Sequence, residues 1–263
     1  MNYEVKTPNH RYRLTVIETF QPFHKMKYSV ESSRKPCLEL SVFLPDIDKR
    51  LQHIIYTASL SKIDALKECM LDDKDETSFG LELLYSILGI LKVNHPYIKT
   101  VALHDSSYIP CNREDGDTLD LLSYSIALYG KTWYEKKAGA HLEGEKDREL
   151  YKTQIQKYLS DVPQDTLPFS KFYEKIIRND FAAEKITTIK DVEEQYKLSR
   201  SFPDFFTYLN SQINRYERCR FFKDWLEEWI GSQIVIRRDW QINIEENSIL
   251  GSVLDTPPYF NFS

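Results

Sequence analysis

Residues 79–103 read FGLELLYSILGILKVNHPYIKTVAL. Over Phe79 to Val93 the apolar residues cover nearly the whole circumference of a helix, leaving Glu82, Ser86, Gly89 and Lys92 as a narrow polar stripe at intervals of three and four. A helix with that pattern is buried on several sides. Asn94-His95-Pro96 stops it, because proline disfavours helical geometry in the residue before it, and Tyr97 to Leu103 resumes as a strand. With a strand before it at His53 to Leu60, the order strand, helix, strand predicts a parallel crossover, the one βαβ step in the chain.

Upstream, His10 to Glu18, Lys27 to Glu31 and Leu38 to Leu44 are further runs rich in β-branched and aromatic residues, punctuated by Pro22, Pro36 and Pro45. No segment before Ser61 has the length and period of a crossover helix, so these runs predict an antiparallel meander. Ser61 to Ser78 is charged and irregular, with room for a short helix near Lys62 to Met70.

Downstream, Asp117-Thr118-Leu119-Asp120 sets one acid at a candidate N-cap and another at the third helical position. The helix it opens places Leu119, Leu122, Ile126, Tyr129 and Trp133 on one face and ends at Gly139. After a charged break at Glu143 to Arg148, helices are expected at Glu149 to Leu159, Phe169 to Asn179 and Ile189 to Leu198, with a long one from Asp204 to Ile230. Ile234 to Ile236 and Trp240 to Ile244 read as short strands, and the tail around Pro257-Pro258 shows no regular pattern. The fold class is therefore α+β, a mixed sheet with flanking helices over residues 1–142 followed by a mainly helical domain over 147–263.

A chain of 263 residues with 41% hydrophobic residues can bury a substantial core, and its net charge of −5 fits neither a nucleic-acid-coating protein nor an acidic disordered chain. The first thirty-six residues carry seven Lys and Arg against three acids, a mildly basic edge. No window approaches the roughly twenty apolar residues of a membrane span. Cys37, Cys69, Cys111 and Cys219 lie far apart without a Cys-x-x-Cys, and the N-terminus lacks a hydrophobic signal core, so reduced thiols in a cytoplasmic setting are expected. The six histidines form no His-x-x-x-His or Glu-x-x-His pair, which argues against a zinc site.

The stretch from the buried helix through the Tyr97 to Leu103 strand to Thr132-Trp133-Tyr134-Glu135-Lys136-Lys137-Ala138-Gly139-Ala140 resembles the core of the GCN5-related N-acetyltransferases (GNAT). The resemblance implies acetyl-CoA as cofactor and transfer of its acetyl group to an amine by direct attack. By the same resemblance Tyr134 is the acid for the departing thiolate, His53 to Leu60 aligns the thioester, and Glu82 or Glu135 favours the amine. The family's pyrophosphate loop falls at Asp72 to Gly80, where Thr77, Ser78 and Gly80 supply the cofactor-binding amides. Asp72, Asp73, Asp75 and Glu76 stand where phosphate must approach, so weak or absent binding of coenzyme A is expected. The Asp-Ser-Ser-x-x-x-Cys stretch at Asp105 to Cys111 with Gly130-Lys131-Thr132-Trp133-Tyr134-Glu135 is similar to uncharacterised acetyltransferase-like proteins of large DNA viruses, which implies host cytoplasm or virion.

The residues also admit other readings. Tyr124, Tyr129, Trp133 and Tyr134 suit the packing face of an amphipathic helix, and solvated faces account for Glu82 and Glu135. His104-Asp105 invites a metal phosphohydrolase and Cys111 beside His104 a thiol hydrolase, against an Asx-type loop start with a buried thiol. Arg215, Arg218, Arg220 and Lys223 among Tyr216, Phe221 and Phe222 suit base stacking, but the interspersed acids favour a packed helix. Two functional classes follow: an N-acetyltransferase acting on an amine, or a non-catalytic scaffold whose helical C-terminal half binds another protein. Neither a membrane nor a nucleic acid is the expected partner.

Overall fold

The computed structural model describes residues 2–7, 9–20, 25–31, 36–43, 58–63, 69, 79–111, 118–245 and 259–261. The chain is α+β and folds as two compact units, each discontinuous in sequence. The first comprises residues 1–104, 137–141 and 239–263, the second residues 105–136 and 142–238. The chain passes between the units after residues 104, 136, 141 and 238.

Unit 1 is built on a sheet of the strands β1 (Asn2–Lys6), β2 (Arg11–Thr19), β3 (Lys25–Glu31), β4 (Pro36–Phe43), β5 (Ala58–Ile63), β6 (Thr100–His104), β9 (His141–Leu142), β10 (Asp239–Asn243) and β11 (Tyr259–Asn261). Their order among the described residues is β11-β1-β2-β3-β4-β5-β6-β10-β9. Strands β2 to β5 form the expected antiparallel meander, which β1 extends, and β5 pairs β6 in parallel, Ala58 with Val101 and Leu60 with Leu103. The crossover between them is α1 (Phe79–Asn94), whose Leu83, Leu84, Leu88 and Leu91 are fully buried. Along β2 the alternation is plain, with Tyr12, Leu14 and Val16 inside and Arg11, Arg13 outside. Strands β1 and β11 escaped the sequence reading because strands of three to five residues carry too few side chains to show a period. Residues 53–57 and the helix expected at Lys62 to Met70, apart from the strand residues 62–63 and Cys69, lie outside the described residues.

Unit 2 holds a hairpin of β7 (Tyr108–Pro110) and β8 (Thr118–Asp120) followed by helices. The single helix expected up to Gly139 is two: α2 (Leu121–Tyr129) and α3 (Trp133–Ala138). Asp120, not Asp117, is the N-cap of α2, accepting from Ser123 N at 2.8 Å. Gly130 ends the helix in the left-handed region at φ 61°, its N–H donating to Ile126 O. The second unit continues with α4 (Glu145–Ser160), α5 (Pro163–Thr166), α6 (Phe169–Ile176), α7 (Asp180–Thr188) and α8 (Val192–Leu198). The long helix expected over Asp204 to Ile230 is three, α9 (Phe202–Gln212), α10 (Arg215–Phe222) and α11 (Trp225–Gln233). Asn214 restarts the chain by accepting from Glu217 N at 3.0 Å, and Asp224 breaks it at φ 68°. Apolar spacing survives both breaks because one core faces all three helices, which hid them from a periodicity argument. Ile234 to Ile236 is not a strand.

The core of unit 2 is aromatic. Phe172, fully buried, meets Tyr196, Phe205, Phe206, Trp225 and Trp229 at centroid distances of 5.2–6.0 Å, and Tyr158 stacks on Phe202. Such pairs contribute about 0.5–1.5 kcal/mol each beyond their buried area.

The expectation of reduced thiols is overturned. Cys37 is joined to Cys69 within unit 1 and Cys111 to Cys219 within unit 2, with Cα separations of 6.4 and 4.9 Å, and no cysteine is free. The partners lie 32 and 108 residues apart, so no spacing motif could announce them. On chain entropy alone the two closures stabilise by roughly 4 and roughly 5 kcal/mol.

The left-handed cap at Gly130 gives the first prediction. A Cβ there meets Leu159 Cδ2 at 2.5 Å. That side chain can swing aside, so the cost of Gly130→Ala is mainly backbone strain, about 1–2 kcal/mol, read as a lower midpoint in urea. An unchanged midpoint contradicts the α2–α3 break.

Candidate active site

The sequence-derived site residues fall in both units, and each group is built locally. In unit 1, Glu82 lies in the first turn of α1. Its Oε2 accepts from Thr7 Oγ1 and lies 3.0 Å from His10 Nδ1, while Oε1 accepts from Asn9 Nδ2. Thr7 also donates to His10 O, and His10 N donates back to Thr7 Oγ1. Glu82 therefore ties the turn between β1 and β2 to α1, with His10 only 2% exposed. A carboxylate whose oxygens already hold three polar partners has little acceptor capacity left for an amine. Gly80, also in the first turn of α1, carries one of the amides a helix leaves without an internal partner; Thr77 and Ser78 lie outside the described residues.

In unit 2, Glu135 closes a capping box on α3. Thr132 N donates to Glu135 Oε2 at 2.7 Å and Glu135 N to Thr132 Oγ1 at 3.1 Å, the reciprocal pair that satisfies two orphan amides of a helix start. Tyr151 OH donates to the same Oε2 at 2.6 Å. The Thr132-x-x-Glu135 pattern was legible as a helix start, but a helix expected to run unbroken to Gly139 left no place for one.

Tyr134, beside it, is 7% exposed, with its ring edge-on to Trp133 at 5.0 Å. Its hydroxyl makes no hydrogen bond to another described residue. Burial, and then the charge of Asp105, push the phenol well above its ordinary range.

Asp105 is the residue that sequence reasoning passed over as a loop start. The Asx turn is formed, Ser107 N donating to Asp105 Oδ1 at 3.1 Å and Ser107 Oγ to the same atom. The side chain is nevertheless fully buried and its Oδ2 has no partner. Asp105 N donates to Arg238 O at 2.7 Å, and Arg238 Nη1 donates to Asp105 O at 2.9 Å and Asp120 Oδ1 at 3.0 Å. Burial pushes the Asp105 carboxyl above the usual range, the Ser107 bonds opposing. Arg238, separated from Asp105 by 133 residues, gave no local signal.

The other motifs resolve into structure. Cys111 is half of a disulfide, so it offers no thiolate nucleophile. His104 Nδ1 lies 2.8 Å from Asp239 Oδ1 in an exposed pair. Among the described residues no cluster of three or more His, Cys, Asp or Glu could hold a metal ion, and no helix is long and apolar enough to cross a membrane. Phe221 and Phe222 are fully buried and cannot stack on bases, while Arg220 lies over the Phe181 ring at 4.3 Å.

Two measurements check these assignments. As a cap, Glu135 is replaceable by Gln, which keeps the acceptor, whereas Glu135→Ala should cost about 1–2 kcal/mol in denaturant melts; equal loss in both variants would mean that the charge, not the cap, matters. Asp105 binds its proton more tightly folded than unfolded, so its contribution is whole below the unfolded value, about 4, and is lost as pH rises through the raised folded value. Asp105→Asn, which cannot ionise, should flatten that part of the stability–pH curve; an unaltered slope contradicts the assignment. Compared with family models, curated proteins and solved structures, the chain matches none, so its function has to be argued from these residues.

Proposed function

We propose that this chain is a GNAT-like, acetyl-CoA-dependent N-acetyltransferase with a weakened phosphate loop, its 1–142 segment carrying the acetyltransferase-like core and its 147–263 segment an appended helical domain. The observation that carries the reading is the buried ring of Tyr134, on the helix that follows β6 and α2 in chain order. The parallel β5–α1–β6 crossover supports it as the element order the resemblance requires.

Acetyl-CoA supplies a thioester carbonyl. The amine nitrogen attacks that carbon, the C–S bond breaks, and the proton that quenches the sulfur comes from Tyr134. A phenol held above its ordinary range keeps its proton at neutral pH, so the acid is present when the thiolate forms. Gly80 would offer a backbone amide to a phosphate oxygen. Glu82 and Glu135 remain the amine-side candidates, but their present hydrogen bonds make Tyr134 the residue on which the reading stands.

A second reading is a non-catalytic scaffold of the same fold that binds a protein through its helical half, in a virion or host cytoplasm. It is favoured by the structural use of Glu82 and Glu135 and by the two disulfides, which persist on virion surfaces better than in a reducing cytosol.

Thermal shift with coenzyme A separates the two, since ligand at a hundred times its dissociation constant stabilises by about 2.7 kcal/mol. The acetyltransferase reading expects weak stabilisation that increases on Asp72→Asn with Asp73→Asn. It also expects acetyl transfer that falls about a hundredfold in Tyr134→Phe while the coenzyme A shift stays the same. No stabilisation in any variant leaves the scaffold.

A further inference from the structure

The two disulfides differ in access. Cys37 is fully buried and Cys69 and Cys219 are 4% exposed, whereas Cys111 is partly open to solvent. Thiol–disulfide exchange needs a thiolate to reach a sulfur in line with the bond it breaks, so a bridge with both sulfurs buried is protected until the protein opens. Cys111–Cys219 joins a residue partly open to solvent to a shielded one.

We propose that Cys111 is a thiol-exchange site, and that Cys111–Cys219 is a reversible clamp while Cys37–Cys69 is a permanent brace. The partner is a thiol of the glutathione class, small enough to approach a partly covered residue. Its thiolate attacks Cys111 Sγ, forming a mixed disulfide there and expelling Cys219 as the thiolate. A second thiolate then attacks the glutathione sulfur, releasing Cys111 as a thiolate and oxidised glutathione as product. Two thiols are oxidised and one bridge is reduced, and the return reaction runs through the same adduct.

The clamp acts on the polar network of unit 2. Cys111 directly follows β7, whose Tyr108 is paired with Asp120 of β8. Asp120 both caps α2 and holds Arg238, the residue bound to Asp105 O. Opening the bridge frees β7 from α10 and loosens the hairpin end that sets Asp120. Cys37–Cys69 braces β4 in unit 1.

The test equilibrates the full-length protein with graded ratios of reduced to oxidised glutathione, quenches with N-ethylmaleimide, and reads each cysteine by peptide mass spectrometry. The expected result is that Cys111 and Cys219 become reducible at least tenfold faster than Cys37 and Cys69, with the glutathione adduct on Cys111. Simultaneous reduction of both bridges, an adduct confined to Cys219, or reduction only under denaturing conditions would overturn the proposal. In Cys219→Ser, Cys111 is left as a single thiol in a chain that retains the unit 1 brace; with folding verified by circular dichroism, it should take up glutathione from the oxidised form, and failure to do so also overturns it.

Discussion

Two strands that run in the same direction cannot be joined by a tight turn, and the pairing of β5 with β6 sets that demand inside a sheet whose other recorded pairings are antiparallel. The connection has to cross one face of the sheet, and it does so as α1. Because that helix lies over the sheet, Leu83, Leu84, Ile87, Leu88 and Leu91 lose their contact with water together. At roughly 1.5–3 kcal/mol for each large apolar side chain buried, this one element supplies much of the favourable term of unit 1. Three of the four residues in the polar stripe have a use: Glu82 anchors the β1–β2 turn, Ser86 bonds buried Tyr12, and Lys92 reaches solvent.

The same demand bears on the chemistry. Residues that look catalytic in a list can be consumed by the fold, and here the two glutamates are. Glu82 neutralises polar groups of a buried turn, and Glu135 satisfies amides at a helix start. Tyr134 differs in kind, since its ring is packed while its hydroxyl makes no hydrogen bond to another described residue, and Asp105 keeps a buried oxygen unpaired. A buried oxygen that forgoes a hydrogen bond, as Asp105 Oδ2 does, costs about 1–3 kcal/mol. The coincidence of Tyr134 and Asp105 in unit 2, coupled through the Asp105 charge, is where the molecule departs from simple packing.

The units achieve cohesion by different means. Unit 1 relies on a continuous hydrogen-bonded sheet with one covered face and a buried bridge from β4. Unit 2 has short helices, none able to stand alone at four to sixteen residues. They are held by interlocking rings around Phe172 and by individual caps at Asp120, Asn179 and Ser201. Cys111–Cys219 closes a loop of most of that unit, so a covalent constraint stands in for the long-range order a sheet supplies elsewhere.

From the sequence alone, the α+β class, the meander, the buried α1 and its parallel crossover were all determined, because each rests on a period or a stop signal contained within some twenty residues. Helix content in the second half was legible for the same reason. The breaks at Gly130, Asn214 and Asp224 were not, since apolar spacing continues across them and only the shared core shows that three helices face it. Tertiary structure alone decided the disulfides, the Asp105–Asp120–Arg238 network and the roles of Glu82 and Glu135. Those depend on which distant segments come within about 3 Å of one another, as Asp105 and Arg238 do across 133 residues, and local pattern carries no record of that distance.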